Sequence, residues 1–188
     1  MRVAQVPRFT ISIIYWLFGR TSDTHQIKED YLKMLCCDHQ FSEIRRIACE
    51  FAETVLLGKV HRKAMDRIRW HNQNQHRVVL ASASLDIYLE PLAGMLDVGD
   101  TICTRLVRDE GLLTGNIDGR NCKGREKLNR LLTELPAQDI AWEQSFGYSD
   151  SISDLPMLEH VGHAVAVNPG KRLRDVAKDR KWAIEYWD

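Results

Sequence analysis

No sign of charge dominates this sequence: 26 Lys and Arg offset 26 Asp and Glu among 188 residues, for a formal net charge of zero. That balance argues against a nucleic-acid binder relying on bulk positive charge. Long hydrophobic runs are also lacking. The one conspicuous apolar stretch, Phe9 to Phe18 (FTISIIYWLF), is ten residues long, where crossing a bilayer takes about 20. It has no small-residue cleavage site and reads as a buried or cap helix, with membrane-surface contact as the alternative. The five cysteines (Cys36, Cys37, Cys49, Cys103 and Cys122) form no CxxC pair and no metal-ligand spacing. With no secretory signal, a reducing, cytoplasmic setting is expected. Adjacent Cys36 and Cys37 read as core and surface neighbours on one helix. Internal repeats, low-complexity tracts and long linkers are missing too. What remains is an ordinary globular composition, 44% hydrophobic and 28% charged, long enough to bury roughly 70% of its unfolded surface.

The pattern of apolar residues changes near residue 75. Before it the periods are helical. Ser22 or Asp23 can cap a helix through Ile27, Tyr31, Leu32 and Leu35. Ser42 opens a second helix through Ile47, Phe51, Ala52 and Val55, which Gly58 is expected to end. A third covers about Arg62 to Gln75. After residue 75, strand and helix alternate. Arg77 to Ala81 (RVVLA) predicts a fully buried parallel strand, followed by a helix over Leu85 to Met95. Thr101 to Val107 and Leu112 to Ile117 predict a β-hairpin, near residues 101–118. A helix over Gly124 to Leu135, a strand over Ile140 to Phe146 and a helix over Ile152 to His160 come next. A strand over Val161 to Val167, a helix over Lys171 to Asp179 and a strand over Trp182 to Tyr186 complete the chain. The expected organisation is a mostly helical segment over 1–75 and an α/β core over 76–188 with a doubly wound, Rossmann-like parallel sheet.

In such a sheet, ligands bind beyond the carboxyl ends of the strands. Three groups sit there. Asp150 and Asp154, four residues apart in Gly147-Tyr148-Ser149-Asp150-Ser151-Ile152-Ser153-Asp154, offer the hard oxygens that suit Mg²⁺; alternatively they are a turn residue and a helix-start carboxylate. Ser82, with Ser84 close behind, offers a hydroxyl beside free backbone amides, an anion seat or a plain N-cap. Lys123 enters a helix, where its charge opposes the dipole unless an anion lies nearby; otherwise it is solvated surface. The seven histidines give no ligand pair and read as surface or core.

Taken in order, Ser82 after a strand, Lys123 at a helix start and the Asp150/Asp154 pair after a later strand resemble the second, third and fourth motifs of the haloacid dehalogenase (HAD) superfamily. The texture is most similar to its phosphoserine-phosphatase-like branch (subfamily IB), with a small helical cap inserted after the first strand. Further similarity lies in LASAS with Leu85-Asp86-Ile87-Tyr88, in Leu113-Thr114-Gly115 and in Ala164-Val165-Ala166-Val167-Asn168-Pro169. The resemblance spans about residues 20 to 188. It implies that Ser82 hydrogen-bonds the transferring phosphoryl group and Lys123 neutralises its charge. Asp150 would bind Mg²⁺, and Asp154 would support the metal shell or orient the lysine. The implied activity is Mg²⁺-dependent hydrolysis of a small phosphorylated substrate.

One part of the family pattern is not in the sequence. The family's first strand ends in DxDx(T/V), whose first Asp is the nucleophile and whose second is the general acid and base. Here no Asp precedes Asp23, and no DxD occurs anywhere. The family places that strand mid-sheet, so its neighbours would lose a partner at about 1–3 kcal/mol per unpaired buried group. An upstream segment carrying the motif is the favoured expectation. A degenerate paralogue, a non-catalytic phospho-ligand and Mg²⁺-binding module, is the alternative, and a substitute strand from Phe9 to Phe18 is a third. A membrane-associated lipid phosphatase rests only on FTISIIYWLF and the aromatic tail Trp182 to Trp187. Substrate identity and oligomeric state are not legible.

Overall fold

The computed structural model describes residues 24–135 and 140–188. The Phe9 to Phe18 stretch and the capping candidates Ser22 and Asp23 lie outside them. Three helices lead the described chain: α1 (Thr24–Cys36), α2 (Phe41–Phe51) and α3 (Arg62–Gln73). Helix α2 does not stop cleanly at Gly58; it passes through a π-helical turn (Ala52–Leu56) into a 3₁₀ turn (Leu57–Lys59). Helices α1 and α2 pack on the later chain. Leu32 and Cys36 of α1 and Ala48 of α2 share one buried cluster with Ile87, Leu106, Leu113 and Ile117 from the later chain. The turn after α1 is hydrogen-bonded to a hairpin at Asp38 N to Leu113 O (2.8 Å) and Leu113 N to His39 O (2.9 Å). Cys36 is buried and Cys37 half-buried in the turn beyond it, and both are free thiols.

The core follows as β1 (Val79–Leu85), α4 (Asp86–Met95), β2 (Asp100–Thr104), β3 (Leu106–Asp109), β4 (Leu112–Ile117), α5 (Arg125–Glu134), β5 (Phe146–Ser149), α6 (Leu155–Leu158), β6 (His163–Val167), α7 (Lys171–Asp179) and β7 (Ala183–Glu185). Strands β1 and β2 pair in parallel, as do β5 with β6 and β6 with β7. The alternation anticipated from residue 75 onward is therefore an α/β arrangement, in two parallel sheets.

Three expectations need correction. The hairpin is narrower than 101–118: Thr101 to Thr104 belongs to β2 and pairs with β1, and only β3 and β4 form the antiparallel ribbon. A β-branched run could serve either partner, and spacing alone does not show the change of partner at Arg105. Ile140 to Phe146 is not a strand; it contains a 3₁₀ turn at Trp142–Gln144, and β5 begins at Phe146. Ile140 and Trp142 pack instead against the cluster of Ile102, Cys122, Leu131 and Leu135. Finally, β1 is not fully buried. All seven of its residues keep partial exposure, whereas four of the five in β6 are buried. Among the described residues β6 is flanked by a strand on both sides and β1 on one.

Candidate active site

The carboxyl end of β1 is irregular. Its ladder with β2 runs from Val79 to Ala81, breaks, and resumes at Leu85, so Ser82-Ala83-Ser84 forms a bulge of the kind that re-aims side chains beside active sites. Ser82 Oγ accepts the Ser84 N–H (3.1 Å), which leaves the hydroxyl proton to be donated elsewhere.

A polar knot ties this bulge to the loop before α5. Lys28 of α1 donates to Ala83 O (2.6 Å) and to Asn121 Oδ1 (3.0 Å). Thr104 Oγ1 lies within hydrogen-bonding distance of the same two oxygens and accepts the Cys122 N–H (3.1 Å). Burial, then the charge of nearby Lys123, pushes the Lys28 ammonium down to about 8. The loop is held from below by Arg130, which donates to the carbonyls of Cys103 (2.9 Å), Asp118 (2.7 Å) and Arg120 (2.9 Å). It enters α5 through Gly124 at φ +62°, a conformation that disfavours a side chain.

Beyond β5, Ser149 Oγ donates to Asp154 Oδ2 (2.8 Å), and the other carboxylate oxygen pairs with Lys127 Nζ at 2.7 Å. Both side chains of that ion pair are nearly buried, at 7% and 12% exposure. A Cβ added to Gly124 would sit 3.6 Å from Ser153 O, so the loop before α5 also borders the 149–154 turn. The bulge, the Asn121–Gly124 loop and the Asp150–Asp154 turn thus meet at one end of the two sheets.

The sequence-identified residues are placed as follows. Asp154 lies at the centre, in the buried pair. Asp150 is exposed on the turn, and Ser82 is half-buried on the bulge. Lys123 is exposed and forms no ion pair with a described residue; its backbone N–H bonds Asn121 O (2.7 Å). No hydrogen bond or ion pair joins Ser82, Lys123 and Asp150 to one another among the described residues. Two lysines that sequence reasoning passed over are nearer the centre. Lys127 lies one helical turn beyond Lys123, on the face that buries Leu128 and Leu131. Lys28 stands three and four residues before Tyr31 and Leu32, hence on the apolar face of its helix. A cation on an apolar face was the available signal in both cases.

For a divalent cation, the donors present are limited. Asp154 has both oxygens engaged, by Lys127 and Ser149, while the Asp150 carboxylate is exposed. Among the described residues no three His, Cys, Asp or Glu side chains form a metal-holding group. One free carboxylate backed by a second suits Mg²⁺, which keeps waters and takes substrate phosphate oxygens; it does not suit a cation that needs an all-protein cage.

Fold and strand-end loops together define a class. The chain belongs to the haloacid dehalogenase-like hydrolase family, which it matches over residues 4–159. Among individual proteins, it is 32% identical over 171 residues to a probable phosphatase of Mycobacterium tuberculosis H37Rv, covering 91% of this chain and 59% of the relative. It is 27% identical over 143 residues to a phosphoserine phosphatase of the same organism, covering 76% of this chain and 46% of that one. A crystal structure of a protein of unknown function from Bordetella pertussis Tohama I superimposes with a TM-score of 0.84 at 27% identity, covering 97% of this chain and 84% of that one. The chain therefore spans about three fifths, or less, of the length of these Mycobacterium relatives.

Proposed function

We propose that this chain carries the phosphate- and Mg²⁺-binding part of a phosphomonoester hydrolase that works through an aspartyl-phosphate, and that it is catalytically silent as written. The observation that carries this reading is the buried ion pair of Asp154 with Lys127 on α5, the helix whose entering loop Lys28 ties to the Ser82 bulge. A buried ammonium held at 2.7 Å is a fixed positive charge of the sort that phosphoryl transfer needs, because that chemistry depends on positioning and charge stabilisation. In this arrangement Ser82 donates its hydroxyl proton to a phosphoryl oxygen. Lys127 neutralises phosphoryl charge, and Asp154 holds Lys127 in place. Lys123, exposed in the loop before α5, supplies a second, solvated cation at the entrance. Asp150 would hold Mg²⁺, which when bound would offset charge on the phosphoryl oxygens.

The substrate class is a small phosphorylated molecule, by analogy with relatives named as phosphatases. A soluble, cytoplasmic setting is part of the proposal; no described helix is long and apolar enough to cross a membrane. Within the aromatic tail, Trp182 packs in the β6–α7 cluster and the Trp187 ring lies 5.9 Å from that of Tyr148, while Tyr186 is exposed. The lack of any DxD in the sequence favours one second reading, a module that binds phospho-ligands and Mg²⁺ without turnover.

Two experiments test this. Titration of the chain with orthovanadate in the presence of Mg²⁺, followed calorimetrically, is expected to show binding that weakens about tenfold or more in Ser82→Ala and Asp150→Asn. Equal binding by both variants would remove the site assignment. Fusing an apolar strand ending in DxDxT to the chain is expected to produce p-nitrophenyl phosphate hydrolysis that needs Asp150. A folded fusion that binds vanadate without hydrolysis selects the binding module instead.

A further inference from the structure

One partly buried cation at the strand ends has no role in binding the phosphoryl group, and it comes from the helical part of the chain. Lys28 stands on α1, which Glu29 seats on the core: its Oε1 accepts the Ile117 N–H at 2.8 Å. From there the Lys28 ammonium reaches oxygens of two different segments, Ala83 O in the bulge (2.6 Å) and Asn121 Oδ1 in the loop before α5 (3.0 Å). Ser82 precedes Ala83, and Lys123 follows Asn121 by two residues. A single side chain thus sets the spacing of both candidate phosphate ligands.

Thr104 cannot replace it. Its Oγ1 lies 3.0 Å from Ala83 O and 2.9 Å from Asn121 Oδ1, but a hydroxyl has one proton to give. Whichever oxygen takes that proton, the other depends on Lys28. An ammonium carries three protons and serves both, and bonds from a charged donor are roughly twice as strong as neutral ones. The Thr104 hydroxyl in turn accepts the Cys122 N–H (3.1 Å), which extends the tie to the backbone beside Lys123.

We infer that Lys28 is a positioning residue: its ammonium clamps the Ser82 bulge to the loop that carries Lys123, at the separation an anion needs to meet both. The clamp stands on geometry alone; its service to an anion rests on the phosphate-site reading. The titratable groups that face Lys28 among the described residues are Cys103 of β2 and Cys122 and Lys123 of the loop. On α1 itself, His25 and Glu29 approach each other at 3.8 Å. Burial pushes both thiols up, Cys103 to about 12 and Cys122 in the same direction. Neither therefore ionises where Lys28, held down at about 8, exchanges its proton. An anion seated on Ser82 and Lys123 favours the charged clamp, so by linkage it draws a proton onto Lys28.

The test uses the full chain and tungstate, whose charge is fixed over the range in which Lys28 titrates. Affinity is expected to fall about tenfold between about pH 7 and about pH 9, in step with the charged fraction of Lys28. Calorimetry near pH 8 in buffers of differing ionisation enthalpy is expected to show proton uptake on binding. In Lys28→Met, binding at about pH 7 should weaken about tenfold, and both the uptake and the pH slope should vanish. A merely structural defect would weaken binding and leave the uptake. Hydrogen exchange at the Ser84 and Cys122 amides of the ligand-free chain should quicken in the variant. Asn121→Ala removes the loop end of the clamp and should weaken tungstate to a similar degree, with the double variant no weaker; it carries the test if Lys28→Met does not fold. Proton uptake that survives in Lys28→Met, or losses that multiply in the double variant, would overturn the inference. Unchanged exchange in both single variants overturns it whatever tungstate does, and leaves the phosphate-site reading to stand on its own binding data. Quickened exchange in a chain that binds no tungstate sinks that reading and leaves the clamp standing.

Discussion

At the scale of single residues, the site is organised by cations placed where water is scarce. Lys28 makes the point most sharply, because its ammonium is held down at about 8 by burial while it donates to Ala83 O and Asn121 Oδ1. The sign of its effect on stability follows from proton counting. Below about pH 8 both folded and unfolded chains carry the proton, and the folded chain bears the full cost of the buried charge. Between there and the unperturbed value of 10.5 the unfolded chain holds more protons, so this residue's contribution rises with pH. A shift of that size corresponds to about 3 kcal/mol across the window. Urea unfolding of the chain and of Lys28→Met, measured from pH 7 to about 10.5, should therefore give stability curves that diverge, the chain gaining on the variant as pH rises. Parallel curves would show that Lys28 is not desolvated in the folded state.

At the scale of elements, close packing of α1 on the hairpin positions Lys28. Gly115 in β4 has φ +76°, and a Cβ there would lie 2.5 Å from Lys33 Cα and 2.7 Å from Lys33 N. Both are backbone atoms of α1 that no rotamer change can move. Gly115→Ala is expected to cost more than about 2 kcal/mol, combining left-handed strain with displacement of the helix. It should speed proteolysis between α1 and α2 and shift the urea midpoint; an unchanged midpoint would mean that α1 is not seated on β4. Elements of this kind were legible in part. Helices with clear period and capping, such as α4, α5 and α7, fall within a residue or two of expectation, because local pattern decides them. The Asp150–Asp154 turn was legible for the same reason, since chemistry-bearing residues follow an apolar run; Ser82 was picked out by the same pattern, but its bulge inside β1 was not. What was not legible depends on partners distant in sequence. The division of residues 101–107 between β2 and β3, the 3₁₀ turn at Trp142 and the exposure of β1 are each set by a neighbouring element. So was Lys127, whose role depends on Asp154 lying 2.7 Å away; the sequence pointed to Lys123 because a helix start is a visible signal and a buried ion pair is not.

At the scale of the whole molecule, the two parallel sheets are held together without a shared ladder among the described residues. Their polar ties include the Lys127–Asp154 pair, the His71–Tyr148 bond, Arg67 with Glu185 at 2.9 Å, and Lys63 with Asp188 at 3.0 Å. Exposed pairs such as the last contribute little, about 0–1 kcal/mol. The buried clusters divide along the same line, Leu158, Ala164, Ala166, Leu173 and Ala177 in one and Ile102, Cys122, Leu131 and Leu135 in the other, with Met157 packed against both. Cooperativity requires that opening one part cost contacts in the other. A β1–β2 unit and a β5–β7 unit joined by such ties should therefore open separately. Native-state hydrogen exchange over a urea series is expected to give one isotherm for residues 79–135 and a second for 146–188. If both regions share a single isotherm, the sheets are coupled by contacts stronger than those named.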